Sequence, residues 1–156
     1  MLLGLIVVVA LLYISTTTPF EHRGRSPETS AVGAVRTINT AVVTYQQYYG
    51  NGYPPSLRTL GPPPAGERAS CDAAGLIDPA LALGQKDGFV FEYCAGPAVE
   101  KGGKGCTAAG AKSYTVMAYP VEYGKTGKLS FFSDDSGKIR ATKENRRATS
   151  TDPPLE

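Results

Sequence analysis

Apolar positions change their period twice along this chain. From Leu2 to Ile14 they run as one block, LLGLIVVVALLYI. From Val32 onward they recur every three or four residues, at Val32, Val35, Ile38, Val42, Tyr45 and Tyr49. That spacing predicts an amphipathic helix with one apolar stripe. Its start is signposted by Ser26 as a cap, Pro27 at the first helical position and Glu28 where the helix dipole favours an anion. Gly50, followed by Asn51-Gly52 and Pro54-Pro55, predicts its end. The helix should have about 24 residues and be roughly 36 Å long. Arg36, Asn39, Thr40 and Gln47 occupy its other side, so it is laid on a surface and not enclosed.

After Gly88 the period becomes two. FVFEYC (Phe89 to Cys94), SYTVMAYPV (Ser113 to Val121), KLSFFSD (Lys128 to Asp134) and GKIRAT (Gly137 to Thr142) read as four strands. The loop EYGKTG and the turn DDSG join the last three as hairpins. A four-stranded antiparallel meander needs cover on one face, and only the striped helix is long enough to supply it. The expected class is therefore α+β. Between helix and sheet lies a long connection, Pro54 to Lys86. It should hold a short helical turn led by Ser56 and a second helical stretch carrying Leu76, Ile77, Leu81 and Leu83. The division expected is 1–25 for the apolar segment and a polar hinge containing Pro19 and Gly24, 26–143 for a globular head, and 144–156 for a frayed tail.

The block Leu2–Ile14 is shorter than the roughly 20 residues that span a bilayer. It reads as the apolar core of a signal peptide, as a buried helix, or as the apolar half of a longer helix whose start is degenerate or missing from this chain. All but the buried helix place the remainder outside the cytoplasm. Composition narrows the class further. Apolar residues make up 42% of the 156 and charged ones 19%, with 18 glycines and 12 prolines, which describes a globular chain rich in turns. A net charge of +2 without a clustered basic face argues against nucleic acid as a partner.

Three cysteines leave at least one unpaired within the chain. Cys94 ends the first strand and Cys106 closes the glycine-rich loop AGPAVEKGGKGC, so a Cys94–Cys106 bridge would pin that loop. Pairings through Cys71, or free thiols, are the alternatives.

The segments SAVGAVRTINTAVVTYQQYYGNGYPPSLRTLG, CDAAGLIDPALALGQKDGFVFEY and SYTVMAYPVEYGKTGKLSFFSDDSGKIR together resemble the heads of type IV pilin-like proteins, in particular the short acidobacterial-type pilins. The resemblance covers about Glu28 to Arg140. It implies a pilin-like fold, a long N-terminal helix on the sheet. It also implies a non-enzymatic structural subunit of an extracellular filament or a secretion pseudopilus, held in the inner membrane before assembly and homo-oligomeric after it. In such proteins the apolar start is the anchor and then the filament core. That role falls here on Leu2, Leu3, Leu5, Ile6, Val7, Val8, Val9, Leu11, Leu12 and Ile14. The family's usual F-T-L-I-E start is replaced here by Met1-Leu2-Leu3-Gly4, and no acidic residue precedes Glu21. Either this chain starts late relative to the family, or the departure favours the alternative of a non-assembling anchored or secreted binding module on a pilin head.

No nucleophile motif, metalloprotease motif or phosphate loop occurs, and no cofactor is expected. Asp134 and Asp135 are weak calcium candidates, because some pseudopilins hold calcium near the sheet. The plainer reading of Asp-Asp-Ser-Gly is a tight hairpin turn. Tyr45, Tyr48, Tyr49 and Tyr53 form an aromatic set that reads best as core and turn packing.

Overall fold

The computed structural model describes residues 26–103 and 105–155. The apolar segment Leu2–Ile14, the hinge and Lys104 lie outside the described residues. Helix α1 runs from Pro27 to Tyr49. The Ser26 hydroxyl accepts the Thr29 amide at 3.2 Å, and Gly50 ends the helix in the left-handed conformation at φ 61°. Val35, Ile38, Val42 and Tyr45 are fully buried, and Ala31, Ala34 and Ala41 widen the buried stripe. Val32 and Tyr49, at its edges, are only partly covered.

The long connection holds two single turns, α2 (Leu57–Leu60) and α3 (Pro79–Ala82). The second is shorter than the sequence predicts. Leu76 and Ile77 lie outside the helix, with their amides bonded to the Leu60 carbonyl, because a residue before proline avoids the helical region and the helix can start only at Pro79. Asp78 caps it, and Leu83 stands exposed.

The sheet is a five-stranded antiparallel meander, which corrects the four strands expected. The strands are β1 (Gln85–Lys86), β2 (Phe89–Ala95), β3 (Tyr114–Pro120), β4 (Ser130–Asp134) and β5 (Ile139–Thr142). The extra strand, β1, has two polar residues and so no readable period. It pairs because Asp87 (φ 50°) and Gly88 (φ 79°) form a tight two-residue hairpin of the kind that needs positive φ at both positions.

One face of the sheet carries the row Phe91, Ala118, Phe131, Ala141 across the strands, with Phe89, Tyr93, Val116 and Tyr114 around it. Helix α1 covers this face, and Asn39 Nδ2 donates to Ser133 Oγ at 2.8 Å across the contact. The Glu28 carboxylate accepts the Lys128 amide at 3.0 Å and so ties the start of α1 to the β3–β4 connection.

The other face is also covered. Ser130, Phe131, Phe132 and Ser133 of β4 are buried in succession, which is the mark of a strand enclosed on both sides. The cover is the tail expected to fray. Its Pro153 carbonyl accepts the Ala141 amide, and its Leu155 amide donates to Ile139 O, so it closes the free edge of β5. Asp152 organises it, accepting Arg146 through both carboxylate oxygens (2.6 and 2.9 Å) and the Thr149 amide (2.7 Å). Arg147 lies over the Tyr119 ring and reaches Glu92 at 3.1 Å, while Ala148 is buried. Pattern alone missed this because the segment has almost no apolar residues. Its order comes from charge-assisted hydrogen bonds.

Candidate functional site

Two regions have the shape of a working surface: the outward side of α1, and the clamp where the end of α1 meets the glycine-rich loop. Along the outward side stand Thr29, Gly33, Arg36, Thr37, Thr40, Thr44 and Gln47, all exposed. The hydroxyls of Thr37, Thr40 and Thr44 donate back to carbonyls four residues earlier, at 2.8–3.0 Å. Their donor needs are met within the helix, so the methyl groups remain for contact. Two depressions flank this side. One, of about 410 Å3, lies between Thr37, Thr40, Thr44 and Leu76. The other, of about 530 Å3, is floored by Val32, Leu129 and Phe131 and rimmed by Leu155. Arg36 lines both, and no carboxylate within ion-pair distance of it occurs among the described residues.

The clamp is built from the turn that follows α1. Tyr53 and Ala111 exchange both backbone hydrogen bonds (2.9 and 2.8 Å), and Ala111 bridges in turn to Ala98. Asn51 is wholly buried there. Its Nδ2 donates to Tyr45 Oη at 3.1 Å and to Ala108 O at 3.0 Å, and its Oδ1 accepts the Gly103 amide at 2.7 Å. The approach is close enough to require glycine. A side chain at Gly110 would meet the Asn51 carbonyl at 1.8 Å.

The disulfide of this region joins Cys71 to Cys106, with Cα atoms 5.1 Å apart, which corrects the expected Cys94–Cys106 pairing. Cys94 is free and exposed. The reason is the parity of β2. Phe89, Phe91 and Tyr93 face α1, so Cys94 faces the opposite side of the sheet from the clamp. That alternation was readable in FVFEYC and is the signal that could have excluded Cys94. Cys71 Sγ accepts the Tyr45 hydroxyl at 3.1 Å, since a bridged sulfur has no proton to give. Asp72 accepts the Thr107 amide and hydroxyl beside it.

The tyrosines gather on the same side. Tyr45 and Tyr49 have ring centres 5.0 Å apart, Tyr53 meets Tyr114 edge-on at 4.9 Å, and Tyr93 stacks on Tyr114 at 5.8 Å. Burial, then the neighbouring Tyr53, pushes the Tyr114 hydroxyl up to about 12, and burial raises Tyr93 further. Tyr48 meets Tyr49 edge-on at 4.9 Å at the margin of this group and is 80% exposed.

At the other end of the sheet, Asp134 Oδ1 accepts the amide and hydroxyl of Ser136 at 3.0 and 2.5 Å, and Gly137 closes the turn at φ 71°. Asp135 is exposed. Among the described residues no three His, Cys, Asp or Glu side chains gather as a metal site would need. The assembly residues between Leu2 and Ile14 lie outside the described residues, and no described helix is long and apolar enough to cross a membrane. Comparison with protein-family models, with curated proteins and with solved structures gave no match.

Proposed function

We propose that the chain is a non-enzymatic structural subunit of a type IV pilus-like or pseudopilus-like filament, anchored by its apolar N-terminal segment and assembling through it. The observation that carries the reading is the half-clad helix. α1 packs on the sheet by one stripe and presents an outward side of threonine methyls, two apolar-floored depressions and an Arg36 with no ion-pair partner among the described residues. A helix with a second usable side, 12 residues after the block Leu2–Ile14, suits a subunit whose neighbours pack alongside it. The Cys71–Cys106 disulfide agrees with an oxidising location beyond the cytoplasm.

The test is negative-stain electron microscopy of material sheared from cells expressing the protein, with mass spectrometry of the subunit's N-terminus. Thin filaments containing this chain support the reading. Protein found only in membrane or medium, with no filaments, overturns it in favour of an anchored or secreted binding module on the same head.

A further inference from the structure

Asn51 precedes Gly52, the sequence in which an asparagine side chain is most open to attack by the following amide nitrogen. In that reaction the Gly52 nitrogen bonds to Asn51 Cγ, ammonia leaves, and water opens the resulting cyclic imide to aspartate or isoaspartate. Ring closure needs the Asn51 side chain to turn onto the backbone, away from its present partners. Here it cannot turn: both ends of the amide are hydrogen-bonded and the residue is inaccessible to water. Two of those partners flank Cys106: the Gly103 amide in the glycine-rich loop and the Ala108 carbonyl just after it. Cys106 lies between them in sequence and fastens that loop to Cys71. The third partner, Tyr45 Oη, is itself bonded to Cys71 Sγ.

We propose that Asn51 is a covalent modification site gated by the Cys71–Cys106 disulfide. A dithiol reductant transfers two electrons and two protons to the bridge and is itself oxidised to its cyclic disulfide. The loop then loses the covalent cross-link that holds it to Cys71, the clamp opens locally, and Asn51 deamidates. The change is one-way. A carboxylate at position 51 has no N–H for Ala108 O or Tyr45 Oη, and would set a buried negative charge against a carbonyl. The loop would not re-dock, so the modification records that a subunit has lost its bridge.

The full-length protein in detergent, incubated near neutral pH with and without dithiothreitol, tests this by peptide mapping. Deamidation, a gain of about 1 Da on the peptide containing Asn51, should accumulate about tenfold faster or more in the reduced sample. The double variant Cys71→Ser, Cys106→Ser should do the same without reductant. The near-ultraviolet circular dichroism of the buried tyrosines, recorded in parallel, should persist on reduction. Equal rates in both samples overturn the proposal. So does loss of the tyrosine signal on reduction, because the acceleration would then belong to the unfolded chain and not to a local clamp.

Discussion

The two faces of the sheet are covered by opposite means. On one, α1 lays down seven buried side chains, none of them charged. On the other, a tail with scarcely any apolar residues is held by Asp152, Arg146, Arg147 and Thr149. Apolar burial is non-directional and scales with area, so the α1 contact tolerates no charge but needs no particular geometry. The tail contact needs donors and acceptors in register and is sensitive to pH and salt.

The comparison is broken most severely from the α1 side. Replacing Val35 or Ile38 with Asp places an unpaired carboxylate in a fully buried position and should destabilise the head by about 4 kcal/mol or more, enough to unfold it. A circular dichroism melt left unchanged by either substitution would remove α1 from the core. Next in size is the bridge between α1's clamp and the loop. Opening Cys71–Cys106, which spans 35 residues, should lower stability by about 2–4 kcal/mol in urea titrations at fixed pH.

On the tail side the effect should be smaller and of another kind. Asp152→Ala should lower Tm less than opening the disulfide does, while making the chain after Lys143 sensitive to limited proteolysis and baring Phe132 to a hydrophobic dye. Resistance equal to the parent would mean that Asp152 does not hold the tail.

Acid and alkali sharpen the same contrast. Hydrogen bonds from Arg146, then from Thr149, hold the Asp152 carboxyl well below its ordinary 3.8. Its contribution is therefore present above that pH and is lost as pH falls through the lower folded value. Tyr114 works in the opposite sense. Its folded value of about 12 lies above the ordinary 10.0, so its contribution is whole below pH 10 and is lost between 10 and 12. Tail proteolysis should therefore rise first in acid, and tyrosinate absorbance should appear late in alkali, together with loss of the inner core.

The smallest effect belongs to the hairpin turn. Asp134→Ala removes the acceptor for Ser136 and should cost less than about 1 kcal/mol, with calcium leaving Tm unchanged in either protein. A calcium-dependent rise in the parent would restore Asp134 and Asp135 as ligands.

What the sequence determined by itself is everything whose signal is local. The span of α1 follows from Ser26, Pro27, Gly50 and a stripe of period 3.6, because caps and periodicity act within one or two turns. β2 and β3 follow from alternation and β4 and β5 from short runs bounded by turn residues, and even the missed β1 was announced by Asp87-Gly88, although two residues are too few to show a period. The parity of β2 likewise carried the answer for Cys94.

Tertiary structure alone decided the rest. Nothing near Cys71 in the chain points to Cys106; the two meet because the Tyr53–Ala111 ladder folds the loop against the end of α1. Nothing in ENRRATSTDPPLE distinguishes a frayed end from a strap until the outward faces of β3, β4 and β5 are there to receive it. Asn51 could be read only as a turn residue, and its burial depends on donors and acceptors more than fifty residues away. Apolar patterning is written along the chain because burial needs only a face. Polar fit is not, because a hydrogen bond needs a partner whose position only the folded chain supplies.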